Sequence, residues 1–341
     1  MAEEWSDGPL AVAVRPPETE RAMDALRAEG VYDERRRLRE REGAVEVPVT
    51  AAPTATTVGT VIEQSTPVYR AGGLPERLRE RGWTDDEVAD APGSWAVVGD
   101  VILVEGAALD DAPRPDEVGA ALLDLHGNAH TVLAREGIAG SHREPSVRVV
   151  AGDDDTKTVH VEAGTRYALD LETVMFSPGN ERERIRMGEV VSEGERVLDM
   201  FAGVGYFALP MARAGARVTA VERRPETFRY LLENIPLNDV DDRLRPFRAD
   251  CADVAPEIDA ERVVMGHFDA VEYLDPALDA LEPGGTIHLH DAVHESERSR
   301  PVERLTEAAG ARGRDVTVLD RRAVKGYSEG ITHMVVDATI G

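Results

Sequence analysis

The densest chemistry in the chain lies between residues 199 and 251. Asp199-Met-Phe-Ala-Gly203-Val-Gly205 follows an apolar run and opens a helical stretch, so two residues without Cβ let a ligand approach the backbone at a positive helix N-terminus. Gly203-Val-Gly205-Tyr-Phe-Ala208 also fits the dinucleotide pattern G-x-G-x-x-G/A, a weak signal by itself. The carboxylates decide between ligands. Asp199, four residues before Gly203, would repel a pyrophosphate but suits an ammonium or a bound-water network. Glu222, nineteen residues after Gly203, ends the next apolar run, where it can accept both hydroxyls of a ribose. Asp250-Cys251 ends the third, placed to meet an adenine amino group with a side chain and a ring nitrogen with the Cys251 amide. Tight turns and helix caps would explain any one of these residues, less readily the set. The pattern points to an adenosyl group that carries a cation, S-adenosylmethionine rather than NAD.

From Arg196 onward, apolar runs alternate with helical stretches, the pattern of a doubly wound α/β sheet. RVLDM, RVTAVE, LRPFRAD, VVMGH and TIHLHD read as strands, with THMVVDATI as the terminal one. Such sheets bind ligands beyond the carboxyl ends of their strands, where Asp199, Glu222 and Asp250 stand. Smaller α+β domains are expected before this Rossmann-like domain of residues 171–341. Residues 1–50 read as a small α/β module built on AVAVR, a polar helix and VEVPV. The Thr- and Ala-rich stretch 51–66 lacks an amphipathic period and suits a linker. Residues 67–170 form the middle domain, with WAVVGDVILVEG bending or turning at Gly99-Asp100.

At 341 residues the chain has room for two or three domains, and 39 basic against 65 acidic residues leave a formal charge of -26. That excludes nucleic-acid binding by long-range attraction at ordinary salt. Lysine occurs only at Lys157 and Lys325, and the acidic excess runs along the whole chain. The pattern suits a halophilic cytosol, where dense carboxylates keep a surface hydrated and a Debye length of about 3 Å at molar salt leaves local Arg clusters free to hold RNA. No apolar run approaches the ~20 residues of a membrane span, Cys251 is the sole cysteine, and no secretory pattern opens the chain, so the expected location is cytoplasmic.

Residues 196–291, including the turn Leu281-Glu-Pro-Gly-Gly285, resemble the class I methyltransferases. Within that class, Met175-Phe-Ser-Pro-Gly-Asn180-Glu-Arg-Glu-Arg184 resembles the signature of the archaeal and eukaryotic enzymes that modify position 37 of tRNA. AVAVR and GDVILV extend the likeness over nearly the whole chain. One branch of that family methylates guanine N1; the other, in the wybutosine pathway, transfers the 3-amino-3-carboxypropyl group. The methylating branch carries Asn-Pro-Pro-type residues at the end of the fourth strand, where this chain has Val264-Met265-Gly266-His267. Ser177–Asn180 and the run from Ile287 through Arg304 resemble the aminocarboxypropyl branch.

That resemblance implies transfer from S-adenosylmethionine to C7 of 4-demethylwyosine at position 37 in the anticodon region of tRNA(Phe), with methylthioadenosine leaving. Ser177 and Arg184 are then expected near the methionine portion, Arg184 meeting its carboxylate with a planar fork. No residue is identifiable as the base that removes the C7 proton, though His267 is well placed. The guanine-N1 methyltransferase is the alternative, and a noncatalytic RNA-binding module a distant one. A dehydrogenase lacks recognisable hydride-transfer residues.

His288, His290, Asp291, His294 and Glu295 could form part of a zinc site, but no second pair completes a ligand set, so no metal is expected. The Arg clusters at 35–41, 182–186, 298–304 and 321–322 have an ordinary reading as solvated faces paired with Glu neighbours. The resemblance favours the first two as grips on the RNA body.

Overall fold

The computed structural model describes residues 9–57, 59–68, 72–139, 144–328 and 330–341. The first eight residues of the expected N-terminal module, residue 58 of the expected linker, and residues 69–71 and 140–143 of the expected middle domain lie outside the described residues. The chain divides into two units, 1–88 and 89–341.

In the first unit, β1 (Leu10–Val14), β2 (Arg39–Arg41), β3 (Ala44–Val49) and β4 (Thr60–Glu63) form an antiparallel sheet in the order β2-β3-β1-β4. Alternate residues Val12, Val14, Val47 and Val49 turn inward and pack on Ala22 and Leu26 of the helix Thr19–Ala28. The stretch expected as a linker therefore contributes a strand: Thr60-Val61-Ile62 is β-branched and fits a half-buried pleat, although it shows no helical period. Arg36, only 2% exposed, fastens the segment by donating to Asp33, to the Gln64 side chain and to the carbonyls of Leu10 and Val49.

The second unit begins with β5 (Ala96–Val98), β6 (Val101–Glu105), β7 (Thr131–Ala139) and β8 (Glu144–Gly152), ordered as numbered. Gly99-Asp100 makes the tight hairpin turn, with Gly99 at φ +60°. A separate hairpin pairs β9 (Lys157–Glu162) with β10 (Thr165–Asp170). The main sheet then assembles β11 (Arg196–Asp199), β12 (Arg217–Val221), β13 (Leu244–Phe247), β14 (Ala260–Met265), β15 (Leu281–His294), β16 (Val316–Ser328) and β17 (Ile331–Ile340). Its order is β13-β12-β11-β14-β15-β17-β16, with β11 to β15 parallel and β17 antiparallel to both neighbours.

Successive residues of β11 point to opposite faces: Val197 joins a core with Leu209, Leu231 and Ile235, whereas Leu198 joins another with Leu274, Leu278 and Leu305. Both faces are thus covered by helices, as the doubly wound expectation requires. Val98, Val101, Leu103 and Leu133 share the first core with Tyr167 and Leu169. No boundary between compact units falls at 170/171, because one face of β5 to β7 buries in that common core, while Ile102, Val104, Val132 and Ala134 on the other are buried beside the helices Gly106–Asp110 and Pro115–Leu125. Strand β16 was not expected, since Asp320-Arg321-Arg322 interrupts its apolar pattern; as an edge strand with three register irregularities it tolerates those charges. Among the described residues no helix is long and apolar enough to cross a membrane.

Candidate active site

The cavity lies beyond the carboxyl ends of the parallel strands and brings together Ser177, Arg184, Gly203, Glu222, Asp250, Cys251 and His267. The turn after β11 positions the first of its walls. Gly203 holds φ +58°, and a Cβ there would stand 2.3 Å from the Tyr206 ring, so the position requires glycine. Its N–H donates to Glu222 Oε2 at 3.0 Å, while Glu222 Oε1 accepts the Arg224 N–H at 2.7 Å. Glu222, at the end of β12, therefore pins the glycine loop and still has lone pairs for a ligand. Burial raises its pKa above the ordinary carboxylate range. Asp250 caps the short helix Cys251–Val254 through the Ala252 N–H at 3.0 Å and stands 3.7 Å from the Arg223 guanidinium. The buried Cys251 thiol is pushed up to about 12 by burial, so it stays protonated.

Asp199 and Gly205 are not among the residues lining the cavity. Asp199 is fully buried; its Oδ1 accepts the Phe201 N–H at 3.3 Å, and its Oδ2 has no partner among the described residues. Burial pushes this carboxyl up to about 7, a state that a cation nearby would reverse. A Cβ on Gly205 would meet Leu209 at 2.6 Å, so this glycine lets the loop pack on its helix rather than face a ligand. A glycine cradle at Gly203 and an acceptor at Glu222, both lining the cavity, fit the nucleoside of S-adenosylmethionine.

Arg184 differs most from expectation. The fork expected to meet a ligand carboxylate is already taken: Nε and Nη2 bind the two Glu162 oxygens at 2.5 and 2.7 Å, in a pair at most 5% exposed. Burial opposes the Glu162 charge, yet hydrogen bonds from His160 and Arg184 hold its pKa below the usual range. Nη1 donates to the Ser177 carbonyl at 3.0 Å, and the guanidinium lies 4.6 Å from the Phe176 ring centroid. Phe176 also meets His160, Tyr167 and Tyr206, whose hydroxyl donates to the Met175 carbonyl. Arg184 thus holds the Met175–Asn180 segment in place. Lys325 of β16 brings another cation to the segment by donating to Ser177 Oγ.

His267 stacks on Phe201 with ring centroids 5.2 Å apart, and its Nδ1 accepts the Asp269 N–H at 3.1 Å. In the neutral ring the remaining nitrogen then carries the proton, which suits a cap better than a base. The histidine-rich segment is dispersed: His288 binds Asp337, His290 binds His333, Asp291 binds Arg300 and His294 binds Ser296. The expected Arg clusters are likewise divided, because Arg36 and Arg184 are buried and Arg186 pairs with Asp337 at 2.7 Å. Sequence reasoning missed Glu162, Tyr206, Phe268 and His333. Of these, His333 alone carried a readable signal, as a histidine in a largely apolar strand.

Residues 158–319 match the model of the TRM5/TYW2 methyltransferase domain, and residues 74–156 that of the TYW2 N-terminal domain. The chain is 36% identical over 277 residues to the tRNA(Phe) (4-demethylwyosine(37)-C(7)) aminocarboxypropyltransferase of Pyrococcus horikoshii, covering 80% of this chain and 99% of that one. The chain belongs to the TRM5/TYW2 family. The structure of P. horikoshii TYW2 in complex with MeSAdo superposes with a TM-score of 0.67 at 33% identity, covering 79% of this chain and 99% of that one. Trm5b of Pyrococcus abyssi gives 0.72 at 29%, covering 97% and 99%. In TRM5/TYW2 terms, Ser177, Arg184, Glu222, Asp250 and His267 fall within the methyltransferase model, whereas His333 follows its end. The first strands of this family member, β1 to β4, precede both models.

Proposed function

We infer that the protein transfers the 3-amino-3-carboxypropyl group of S-adenosylmethionine to C7 of 4-demethylwyosine at position 37 of tRNA(Phe), releasing methylthioadenosine. The likeness to the Pyrococcus aminocarboxypropyltransferase over 99% of its length carries this reading. The sequence Met265-Gly266-His267-Phe268 at the end of β14 supports it, since no Asn-Pro-Pro stands there to hold an amino or ring nitrogen for methylation. S-adenosylmethionine supplies three electrophilic carbons, and the carbon in line with the nucleophile reacts. Glu222, Asp250 and Cys251 would hold the nucleoside, while Ser177 and the Lys325 ammonium bonded to it would hold the amino-acid tail.

Guanine-N1 methylation is the second reading, favoured by the likeness to Trm5b across 97% of the chain. Donor labelled separately in its methyl and carboxyl groups separates the two on tRNA with or without the tricyclic base. Carboxyl label in tRNA with release of methylthioadenosine is the expected result; methyl label with S-adenosylhomocysteine would establish methylation instead.

The anticodon region carries the modified base in this reading, and the exposed Arg35 and Arg37 of the first unit and, separately, Arg182 of the second are grips on the RNA body. The cytoplasm is where this tRNA and its donor meet, and no metal takes part. The excess of 65 acidic over 39 basic residues suits concentrated salt. Moved from molar salt to dilute buffer, where screening lengthens from about 3 Å to about 30 Å, the protein is expected to unfold cooperatively, read by circular dichroism. Retained ellipticity and a sharp melting transition in dilute buffer would refute the halophilic assignment.

A further inference from the structure

Substitution at a carbon that bears hydrogen needs a proton acceptor, and this inference rests on the aminocarboxypropyl reading. As the C7–Cγ bond forms, the Cγ–S bond breaks, its electron pair stays on sulfur, and the positive charge passes to the tricyclic base. Aromaticity returns when the C7–H pair of electrons re-enters the ring and the proton leaves. We propose that His333 accepts this proton and that His290, behind it, is the positioning residue.

His333 forms part of the cavity wall with Gly266, His267 and Phe268, on strands away from Glu222 and Asp250. Its Nε2 lies 3.0 Å from His290 Nδ1, while its Nδ1 has no hydrogen-bond partner among the described residues although the residue is 1% exposed. Phe268 packs edge-on against the ring at 4.8 Å and fixes its plane. Of two neutral imidazoles sharing one hydrogen bond, one donates. When His333 Nε2 donates, its Nδ1 carries the free lone pair, and protonation at Nδ1 leaves that bond to His290 intact.

The charges around the pair keep it neutral. Burial, then Lys325 and Arg322 on the neighbouring strand, bring His333 down to about 4, and burial, His333, His288 and Arg322 depress His290 against the opposing Asp337. Low proton affinity suffices, because a ring cation protonated at carbon is itself a strong acid. Of the other candidates, His267 Nδ1 accepts a backbone N–H, and Glu222 and Asp250 follow β12 and β13, on the other side of β11 from β14 and β17.

The test compares wild type with His333→Gln on tRNA carrying hydrogen or deuterium at C7. Turnover by the variant is expected to fall about 10²- to 10⁴-fold, with unchanged affinity for S-adenosylmethionine and a deuterium isotope effect larger than that of wild type. His333→Ala supplied with substituted imidazoles should regain turnover in proportion to their basicity, and His333→Asn replaces either variant that does not fold. Wild-type turnover in the variants, or a loss without a change in isotope effect, overturns the role of His333. A wild-type protein that releases no methylthioadenosine overturns the functional reading and this role with it, whereas normal release beside an unaffected variant overturns the role alone.

Discussion

Glu222→Ala is expected to weaken S-adenosylmethionine binding by about 10²- to 10⁴-fold while the protein still folds. The carboxylate accepts the Gly203 and Arg224 N–H groups at 3.0 and 2.7 Å, so it shapes the glycine loop as well as presenting acceptors to a ribose. Hydrogen bonds to a charged group contribute about 1.5–3 kcal/mol each. Losing two ligand bonds removes about 3–6 kcal/mol, and each 1.4 kcal/mol is tenfold in affinity. The two backbone donors face an open cavity and regain water, so the melting temperature should drop only slightly. Glu222→Gln keeps one acceptor oxygen and should fall between. Calorimetry on the folded variant checks the assignment, and wild-type affinity in Glu222→Ala would remove the adenosyl site from the end of β12.

The central sheet was legible because its strands are short apolar runs, each closed by a carboxylate or a turn. Asp199, Glu222 and Asp250 mark the ends of β11 to β13, and one loop pattern placed the cavity above them. What escaped was structure whose local pattern contradicts its environment. β4 lies among threonines that resemble a linker, and only pairing with β1 makes it a strand. β16 carries Asp320-Arg321-Arg322, which a solitary strand would not, but in an edge strand beside β17 Arg322 pairs with Asp320 and binds Glu183 and Asp337.

The site residues divide in the same way. Glu222 was readable because its distance from Gly203 is set by one strand–helix–strand unit. The engagement of Arg184 was not, since its partner Glu162 comes from a hairpin twenty-two residues upstream, with no periodicity linking them. Chain patterns report which face of an element is apolar; they carry no information about which distant charge a buried fork will meet. His333 escaped for a related reason, because β17 is last in sequence yet lies inside the sheet, beside β15 and its His290.

The consequence for Arg184 is a pair of opposite expectations. Glu162→Ala leaves a guanidinium 3% exposed without its counter-charge, which costs about 3–5 kcal/mol and should lower the melting temperature by roughly 10 °C. Removing one partner of a buried pair is worse than never having had it. Arg184→Gln removes the donors to Glu162 and to the Ser177 carbonyl together and frees Phe176 from its cation. If Arg184 acts by holding this segment, the folded variant should bind S-adenosylmethionine and methylthioadenosine more weakly by similar factors, since the same wall is displaced for both. A direct bond to the donor's carboxylate predicts otherwise: methylthioadenosine lacks that group, so its affinity would survive while that of S-adenosylmethionine collapsed. Calorimetric titration of the one variant with the two ligands therefore distinguishes a residue that shapes the pocket from one that grips the tail, and the occupied fork places Arg184 in the first class.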